Sequence, residues 1–168
     1  KSKKPVHRWP LADLRKITDW HINGILVEEF MTTDLFTVHK GDIPELLADI
    51  MDWQKIRFIP VEDKKGKLVG LVSMNILMRY FSEQSKSGIH ENKTVDDLMI
   101  KNPVTISPES TIFEAMVLLR EGDVGCLPVV KNDKLVGIIS EGNFLSITRT
   151  LLKVLDEQKS DKLKKENE

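Results

Sequence analysis

The sequence predicts an α/β (α+β) fold of two β-α-β-β-α units packed about a pseudo-two-fold axis, with an additional amino-terminal helix. The main observation is an internal repeat at an offset of 68 residues: Val27–Met31 (VEEFM) corresponds to Val95–Met99 (VDDLM), and the Pro-Val step at 60–61 recurs at 128–129. Each copy also alternates short β-branched runs with stretches of helical periodicity. A copy of about 60 residues buries little apolar surface alone, so the two copies should pack together.

In the first copy, Asp42 and Glu45 have the spacing of a helix capping box, and Pro44 suits a first helical turn. Gly66 closes a turn that begins at Asp63. The predicted strands are Phe36–His39, Phe58–Val61 and Lys67–Ser73. The apolar residues at helical spacing are Ile43, Leu46, Leu47, Ile50 and Met51, then Ile76, Leu77, Tyr80 and Phe81.

The second copy repeats this order of elements. Thr111 and Glu114 form the capping-box pattern, and Asn132–Asp133 is a two-residue turn between strands. The predicted strands are Val104–Ser107, Cys126–Val130 and Lys134–Ser140. The helical stripes are Ile112, Ala115, Met116 and Leu119, then Phe144, Ile147, Thr148, Leu151, Leu152 and Leu155.

The predicted domain organisation follows from this repeat. Residues 1–26 form a helical segment whose Trp9 and Trp20 should pack on the repeats, because large aromatic side chains usually find a partner surface. The polar stretch Ser82–Lys93 contains Gly88 and predicts a linker. The boundaries are 1–26 for the helical segment, 27–85 for repeat 1, 86–94 for the linker, 95–152 for repeat 2 and 153–168 for a charged tail.

Composition excludes several classes of protein. A formal net charge of −1 with Lys and Arg scattered among acidic residues argues against nucleic-acid binding and against an anionic membrane surface. No apolar run approaches the ~18 residues that span a bilayer. The single cysteine permits no internal disulfide, which fits a reducing cytoplasm. The absent initiator Met leads us to expect a piece of a longer protein.

No catalytic constellation can be assembled from the sequence. His7, His21, His39 and His90 are far apart and lack the spacing of a metal site. Gly-rich phosphate loops and Gly-x-Ser-x-Gly are absent. Cys126 lies in an apolar strand, so we expect a packed thiol. The chain is therefore not expected to be an enzyme, and we expect neither a metal nor a required cofactor.

Several motifs together resemble the CBS domain family. In the first copy they are MTTDLFTV (31–38), FIPV (58–61) and LVGLVS (68–73); in the second they are VTISP (104–108), CLPVV (126–130) and LVGIISEGNF (135–144). The resemblance implies a Bateman module, which is a tandem CBS pair that often dimerises, binds adenosine-containing ligands and regulates an attached enzyme or transporter. His7–Pro10 also resembles the segment that joins glutamate–cysteine-ligase-like enzymes to carboxy-terminal CBS pairs.

The resemblance also implies two ligand sites. In the family a Ser or Thr contacts phosphate and an Asp three residues later accepts from the ribose. Here those positions are Ser73 and Ile76 in copy one, and Ser140 and Asn143 in copy two, so copy two is the favoured site. The predicted sets are Val104, Thr105, Leu127, Pro128, Ser140 and Asn143 for site 2, and Phe36, Thr37, Ile59, Pro60, Ser73 and Ile76 for site 1.

Each polar residue also has a structural interpretation. Ser73 and Ser140 suit helix caps as well as ligand contact. Arg57 and Arg149 are candidate phosphate contacts, although a solvated surface arginine is the more common role, and the same holds for Arg79. The predicted function is a regulatory module that senses AMP, ADP, ATP or S-adenosylmethionine and modulates an attached or partner protein. The alternative is a structural homodimerisation module with degenerate sites, which Ile76 favours.

Overall fold

The computed structural model describes residues 24–88, 92–122 and 124–165. The predicted helix around Trp9 and Trp20 lies outside the described residues. The described residues form a mixed α/β protein, which confirms the predicted fold class. Its elements in chain order are β1 (Val38–His39), α1 (Pro44–Gln54), β2 (Phe58–Glu62), β3 (Leu68–Ser73), α2 (Met74–Ser87), α3 (Val95–Leu98), β4 (Ile100–Lys101), α4 (Ile112–Glu121), β5 (Cys126–Lys131), β6 (Lys134–Ser140) and α5 (Glu141–Lys165).

The chain divides into two compact units that do not follow the order of the repeats. Among the described residues, unit 1 comprises 24–33, 107–122, 124–127 and 138–165, and unit 2 comprises 34–88, 92–106 and 128–137. The leading residues of repeat 1 therefore belong to the unit that contains most of repeat 2. The leading residues of repeat 2 likewise belong to the unit that contains most of repeat 1.

Unit 2 contains a four-stranded sheet in the order β1-β2-β3-β4. β1 runs parallel to β2, while β3 is antiparallel to both β2 and β4. The inward side chains of the sheet and of its helices form one apolar core, as the alternating strand pattern requires. The buried members of this core are Val38, Leu47, Met51, Ile59, Val61, Val72, Leu77, Val95 and Met99.

Helix α1 corrects one predicted contact. Its N-cap is Ile43, whose side chain makes no capping hydrogen bond, and Pro44 is the first helical residue. The predicted Asp42–Glu45 capping box is therefore wrong: an Asp42 carboxylate oxygen accepts from the backbone N–H of His39 at 2.8 Å. Because proline has no N–H to satisfy and suits the first helical position, the helix begins one residue later than the pattern indicated.

In unit 1 the capping box at α4 is confirmed. The Glu114 N–H donates to Thr111 Oγ1 at 3.1 Å, and the Thr111 N–H donates to Glu114 Oε2 at 2.8 Å. Residues Val27–Glu29 form a single 3₁₀ turn, and the Val27 N–H donates to the Ser110 carbonyl at 2.8 Å. In unit 2 the equivalent bond, 68 residues later at both ends in repeat order, joins the Val95 N–H to the Asp42 carbonyl at 2.9 Å.

Strands β5 and β6 form a two-stranded sheet joined by the predicted two-residue turn. Both turn residues, Asn132 and Asp133, have positive φ angles, 50° and 61°. Such a turn matches the twist of an antiparallel hairpin, and Asn and Asp tolerate this conformation better than most residues. The hydrogen bonding of the repeats is thus preserved, while the local sequence sets the turn.

Several predicted bounds differ from the structure. The strand predicted at Phe36–His39 is only β1, and Val104–Ser107 makes a single bridge from Ile106 to Val129. The polar stretch predicted as a linker is helical as far as Ser87, where α2 ends. Elements α3 and β4 were not predicted. They are four and two residues long, which is too short for periodicity to identify.

Candidate functional site

Ser140 and Asn143 lie together at the amino end of α5, in unit 1. The side-chain oxygen of Asn143 accepts from the Ser140 backbone N–H at 2.8 Å and from its hydroxyl at 3.0 Å. Ser140 is the last residue of β6, so the pair joins the end of a strand to the first turn of the following helix. The two predicted polar residues of site 2 are therefore neighbours, and their side chains are in direct contact.

The amide nitrogen of Asn143 contacts a segment more than a hundred residues away in sequence. It donates to the Phe30 carbonyl at 2.9 Å and to Thr32 Oγ1 at 3.2 Å. These partners fix the orientation of the amide, because a carbonyl only accepts and a backbone N–H only donates. Both amide hydrogens are engaged, and the oxygen accepts two bonds. We call this arrangement the Asn143 tether, since it holds Phe30–Thr32 against the start of α5.

The corresponding position in unit 2 has different chemistry. Ser73 Oγ caps α2 by accepting from the Ile76 N–H at 3.4 Å, and the Ile76 side chain packs against the apolar core. Ile76, Leu98 and Ile100 all line one pocket of about 400 Å³. Leu98 and Ile100 occupy the repeat positions of Phe30 and Thr32, 68 residues earlier. An apolar contact region thus occupies the place where unit 1 has a polar tether.

The other predicted residues of site 2 are described unit by unit. In unit 2, Val104 and Thr105 are exposed and Pro128 is buried, with its carbonyl accepting from the Ile106 N–H at 3.0 Å. In unit 1, Leu127 is fully buried. A ligand could therefore reach the side chains of Val104 and Thr105 directly, whereas Leu127 offers at most its backbone.

The predicted residues of site 1 all belong to unit 2. Phe36 is exposed and Thr37 is half-buried, and both precede β1. Ile59 and Pro60 are fully buried within β2, where the side chain of Ile59 belongs to the core. Of the polar side chains proposed for this site, Ser73 is already engaged as a helix cap.

The three arginines weighed from the sequence are all exposed. Arg57 precedes β2, and Arg149 lies on α5 two turns beyond Asn143. Arg79 lines the pocket of about 400 Å³ together with Tyr80, Glu83, Lys93 and Asp97. Neither arginine proposed as a phosphate contact makes a bond that would fix it toward a site, so Arg57 and Arg149 stay candidates.

A larger pocket, of about 470 Å³, lies between α4 and α5 in unit 1. Its walls are mostly apolar, with one cation and one anion at the rim. The residues that line it are Met116, Leu119, Arg120, Val124, Gly125, Glu141 and Phe144. Met116 and Phe144 were predicted as members of helical stripes, but nothing in the sequence indicated that a pocket would form between them.

Cys126 has the properties of a packed thiol, as predicted. Its side chain is 2% exposed, and burial raises its pKa to about 12. A thiol with this pKa is almost entirely protonated near neutral pH, and the thiolate is the reactive form. Across the described ranges, no group of three His, Cys, Asp or Glu side chains is placed to hold a metal ion.

Comparison with known proteins identifies the repeat. The CBS domain family matches residues 27–83 and 95–149, which are the two copies seen in the sequence. A CBS domain-containing protein from Dictyostelium discoideum is 29% identical over 140 residues, covering 79% of this chain and 94% of that protein. A homoserine O-acetyltransferase from Methanococcus vannielii is 28% identical over 127 residues, covering 75% of this chain but only 25% of that enzyme.

Solved structures agree with the fold. The CBS-pair protein CBSX2 from Arabidopsis thaliana is 28% identical, with a TM-score of 0.68, over 77% of this chain and 98% of that one. CBSX2 has also been solved in complex with AMP, at 29% identity and a TM-score of 0.66 over 76% of this chain and 98% of that one. In the part of the chain that the structure describes, no helix has an apolar stretch suited to crossing a membrane.

Proposed function

Because the chain belongs to the CBS domain family, we propose that it is a regulatory module that binds an adenosine-containing ligand and modulates an attached or partner protein. The candidate ligands are AMP, ADP, ATP and S-adenosylmethionine. AMP has the most direct support, since the similar CBS-pair protein CBSX2 has been solved with AMP. The ligand acts as an effector, so no catalytic step is assigned to this chain.

The observation that carries the proposal is the pairing of Ser140 with Asn143 at the start of α5. These are the two positions that the family resemblance assigns to phosphate and ribose contact. The first backbone N–H groups of a helix lack intrahelical partners and favour an anion, so a phosphate at Ser140 would gain from α5 as well. Val104, Thr105, Leu127 and Pro128 stay members of the proposed site on the resemblance alone.

The Asn143 tether suggests how binding is transmitted. Asn143 already uses its oxygen and both amide hydrogens within unit 1. A ribose hydroxyl that bonds to Asn143 must therefore replace one of these bonds, and the replaceable partners include the Phe30 carbonyl and the Thr32 hydroxyl. Ligand binding then competes with the tether and shifts the population toward a state in which Phe30–Thr32 is released.

A thermal-shift screen with AMP, ADP, ATP and S-adenosylmethionine tests this proposal. A specific ligand stabilises the folded state by RT ln(1 + [L]/Kd), so the melting temperature should rise with the concentration of one ligand and not of the others. Guanosine monophosphate is the matched control, because it carries the same ribose phosphate on a different base. Equal shifts with all of these nucleotides, or none at millimolar concentration, would argue against a specific adenosine site.

A structural role is the second candidate function. Large apolar side chains are exposed on the second helices of both repeats, Met78 on α2 and Leu145 and Leu152 on α5, with Leu145 76% exposed. Exposed apolar faces of this size mark interfaces, and we propose a homodimer as their partner. Ile76 in place of a ribose acceptor supports a module in which one site has lost its ligand.

The proposed context is a larger assembly in the cytoplasm. The chain spans about a quarter of the homoserine O-acetyltransferase that it matches, so a similar segment occurs within a much longer enzyme. The attached or partner protein would be an enzyme or a transporter, and a glutamate–cysteine-ligase-like enzyme is one such parent. Co-purification of the full-length protein with its partner, with and without AMP, would identify that partner and the direction of regulation.

A further inference from the structure

Trp53 is the most exposed large apolar side chain on the helices of unit 2. It lies in the last turn of α1 with 78% of its surface exposed. Ile43 and Leu46, near the start of the same helix, are exposed as well. Tryptophan carries a large apolar area and is enriched among the residues that dominate binding energy at interfaces. An exposed indole beside further apolar side chains therefore indicates a contact surface.

The pocket between α4 and α5 has the chemistry to hold an indole ring. Met116, Leu119 and Phe144 supply apolar walls, and its volume of about 470 Å³ lies within the range of small-molecule sites. Arg120 can stack on the face of an aromatic ring as a cation–π partner. The carboxylate of Glu141 can accept the indole N–H, which is a donor only.

The charges beside Trp53 complement those at the pocket. Asp52 and Lys55 flank Trp53 and pair with each other at 2.9 Å, both largely exposed. An exposed pair of this kind contributes little and is easily exchanged for other partners. The pocket carries the opposite charge for each of them: Arg120 for Asp52, and Glu141 for Lys55.

We propose that Trp53 of one copy of this chain docks into the α4–α5 pocket of a second copy. The proposal rests on the homodimer put forward above, and it specifies which surfaces meet. Each copy carries both the side chain and the pocket, so a two-fold symmetric dimer makes the contact twice. The repeat position of Trp53 in the second copy is Glu121, so the two halves of the contact are not duplicated within the chain. The α1 surface therefore pairs with the α4–α5 surface rather than with itself.

Sedimentation of Trp53→Ala measures the contact directly. The wild type should be a dimer, and the dimer of Trp53→Ala should be about 30-fold weaker, as expected when an interface loses a central tryptophan. Trp53→Phe should fall between the two, since it keeps a ring but loses the indole N–H. Phe36→Ala removes another exposed aromatic ring of unit 2 outside α1, and it should leave the dimer unchanged.

A mixing experiment distinguishes this contact from pairing between identical surfaces. Met116→Asp puts a charge into the pocket, so it should weaken the dimer as Trp53→Ala does. In an equimolar mixture, Trp53 of the pocket variant can still enter the intact pocket of the Trp53→Ala chain. The mixture should therefore form heterodimers more tightly than either variant forms homodimers. Pairing of identical surfaces gives no such recovery.

Each outcome bears on the proposal. A dimeric wild type whose dissociation constant is unchanged in Trp53→Ala overturns this contact and leaves the homodimer intact. A monomeric wild type overturns both. Variants that weaken the dimer without recovery on mixing also overturn the proposed pairing. Circular dichroism of each variant shows whether it is folded, and the thermal-shift screen with AMP reports ligand binding independently of the dimer.

Discussion

The side-chain amide of Asn143 donates to the backbone carbonyl of Phe30 at 2.9 Å, and this bond joins the start of α5 to a segment 113 residues earlier. On the sequence alone, Asn143 is a weakened ribose acceptor. In the structure it is a structural contact as well, since the same amide also reaches Thr32 and Ser140. The two roles give different expectations for its replacement by aspartate.

Asn143→Asp is expected to destabilise the protein by about 1–3 kcal/mol at pH 7, because the carboxylate cannot donate and faces the Phe30 carbonyl. The loss should shrink at pH 4, since a protonated carboxyl can donate again. Asn75→Asp, an exposed asparagine in the first turn of α2, is the matched control and should not destabilise the protein. Urea denaturation of both variants at the two pH values measures the difference. Equal stability of Asn143→Asp and wild type would show that the tether contributes nothing.

Gly70→Ala is expected to destabilise the protein by about 1–3 kcal/mol through overpacking. A Cβ at Gly70 would lie 2.3 Å from Met99 Sδ and 3.2 Å from the Ile100 carbonyl. The loss should be smaller in a Met99→Ala background, because the close sulfur is then absent. Gly41→Ala, where nothing lies within 4 Å, serves as the control. A double-mutant cycle by urea denaturation gives the coupling, and additive effects would contradict the predicted clash.

Cys126 should not react with a thiol reagent in the native protein. Its pKa of about 12 leaves a thiolate fraction of roughly 10⁻⁴ at pH 8, and burial blocks access as well. Ellman's reagent should give no colour at pH 8 without denaturant and one equivalent in urea. Rapid reaction of the native chain would mean that β5 opens readily or that the thiol is not packed.

The Asp63 turn should make stability depend on pH in acid. Backbone N–H groups of Lys67 and Lys65 donate to the Asp63 carboxylate and hold its pKa below the usual 3.8. A group whose folded-state pKa is lowered stabilises the protein above its unfolded pKa and loses that contribution as the pH falls through the folded value. The stability difference between wild type and Asp63→Asn should therefore shrink below about pH 4. Asp49→Asn, an exposed carboxylate on α1, should show no such trend.

The repeat made much of the fold predictable from the sequence. The offset of 68 residues that matches Val27 with Val95 also matches their backbone hydrogen bonds to Ser110 and Asp42. The capping box at Thr111 is local and was recognised from spacing alone. The cap at Asp42 failed because Pro44 moved the helix start, which a spacing rule does not take into account.

The candidate site was less predictable, for physical reasons. The positions of Ser140 and Asn143 follow from the motif, but the partners Phe30 and Thr32 depend on long-range packing. The repeat offered one signal: Leu98 and Ile100 in copy two are apolar, as Ile76 is, while Thr32 in copy one is polar, as Asn143 is. Compared as pairs, these positions indicate a contact. The α4–α5 pocket had no such signal, because a gap between helices depends on side-chain sizes and angles.

Titration calorimetry with AMP on three proteins tests the central claim most directly. The account predicts that the wild type binds AMP, that Ser140→Ala weakens AMP more than adenosine, and that Ser73→Ala, the matched change in the other repeat, leaves binding near the wild-type value. The physical reason is that only Ser140 stands beside a side chain able to accept from a ribose. No heat of binding from the wild type with any adenosine ligand would contradict the sensing function, and loss of binding in Ser73→Ala alone would place the site in the wrong repeat.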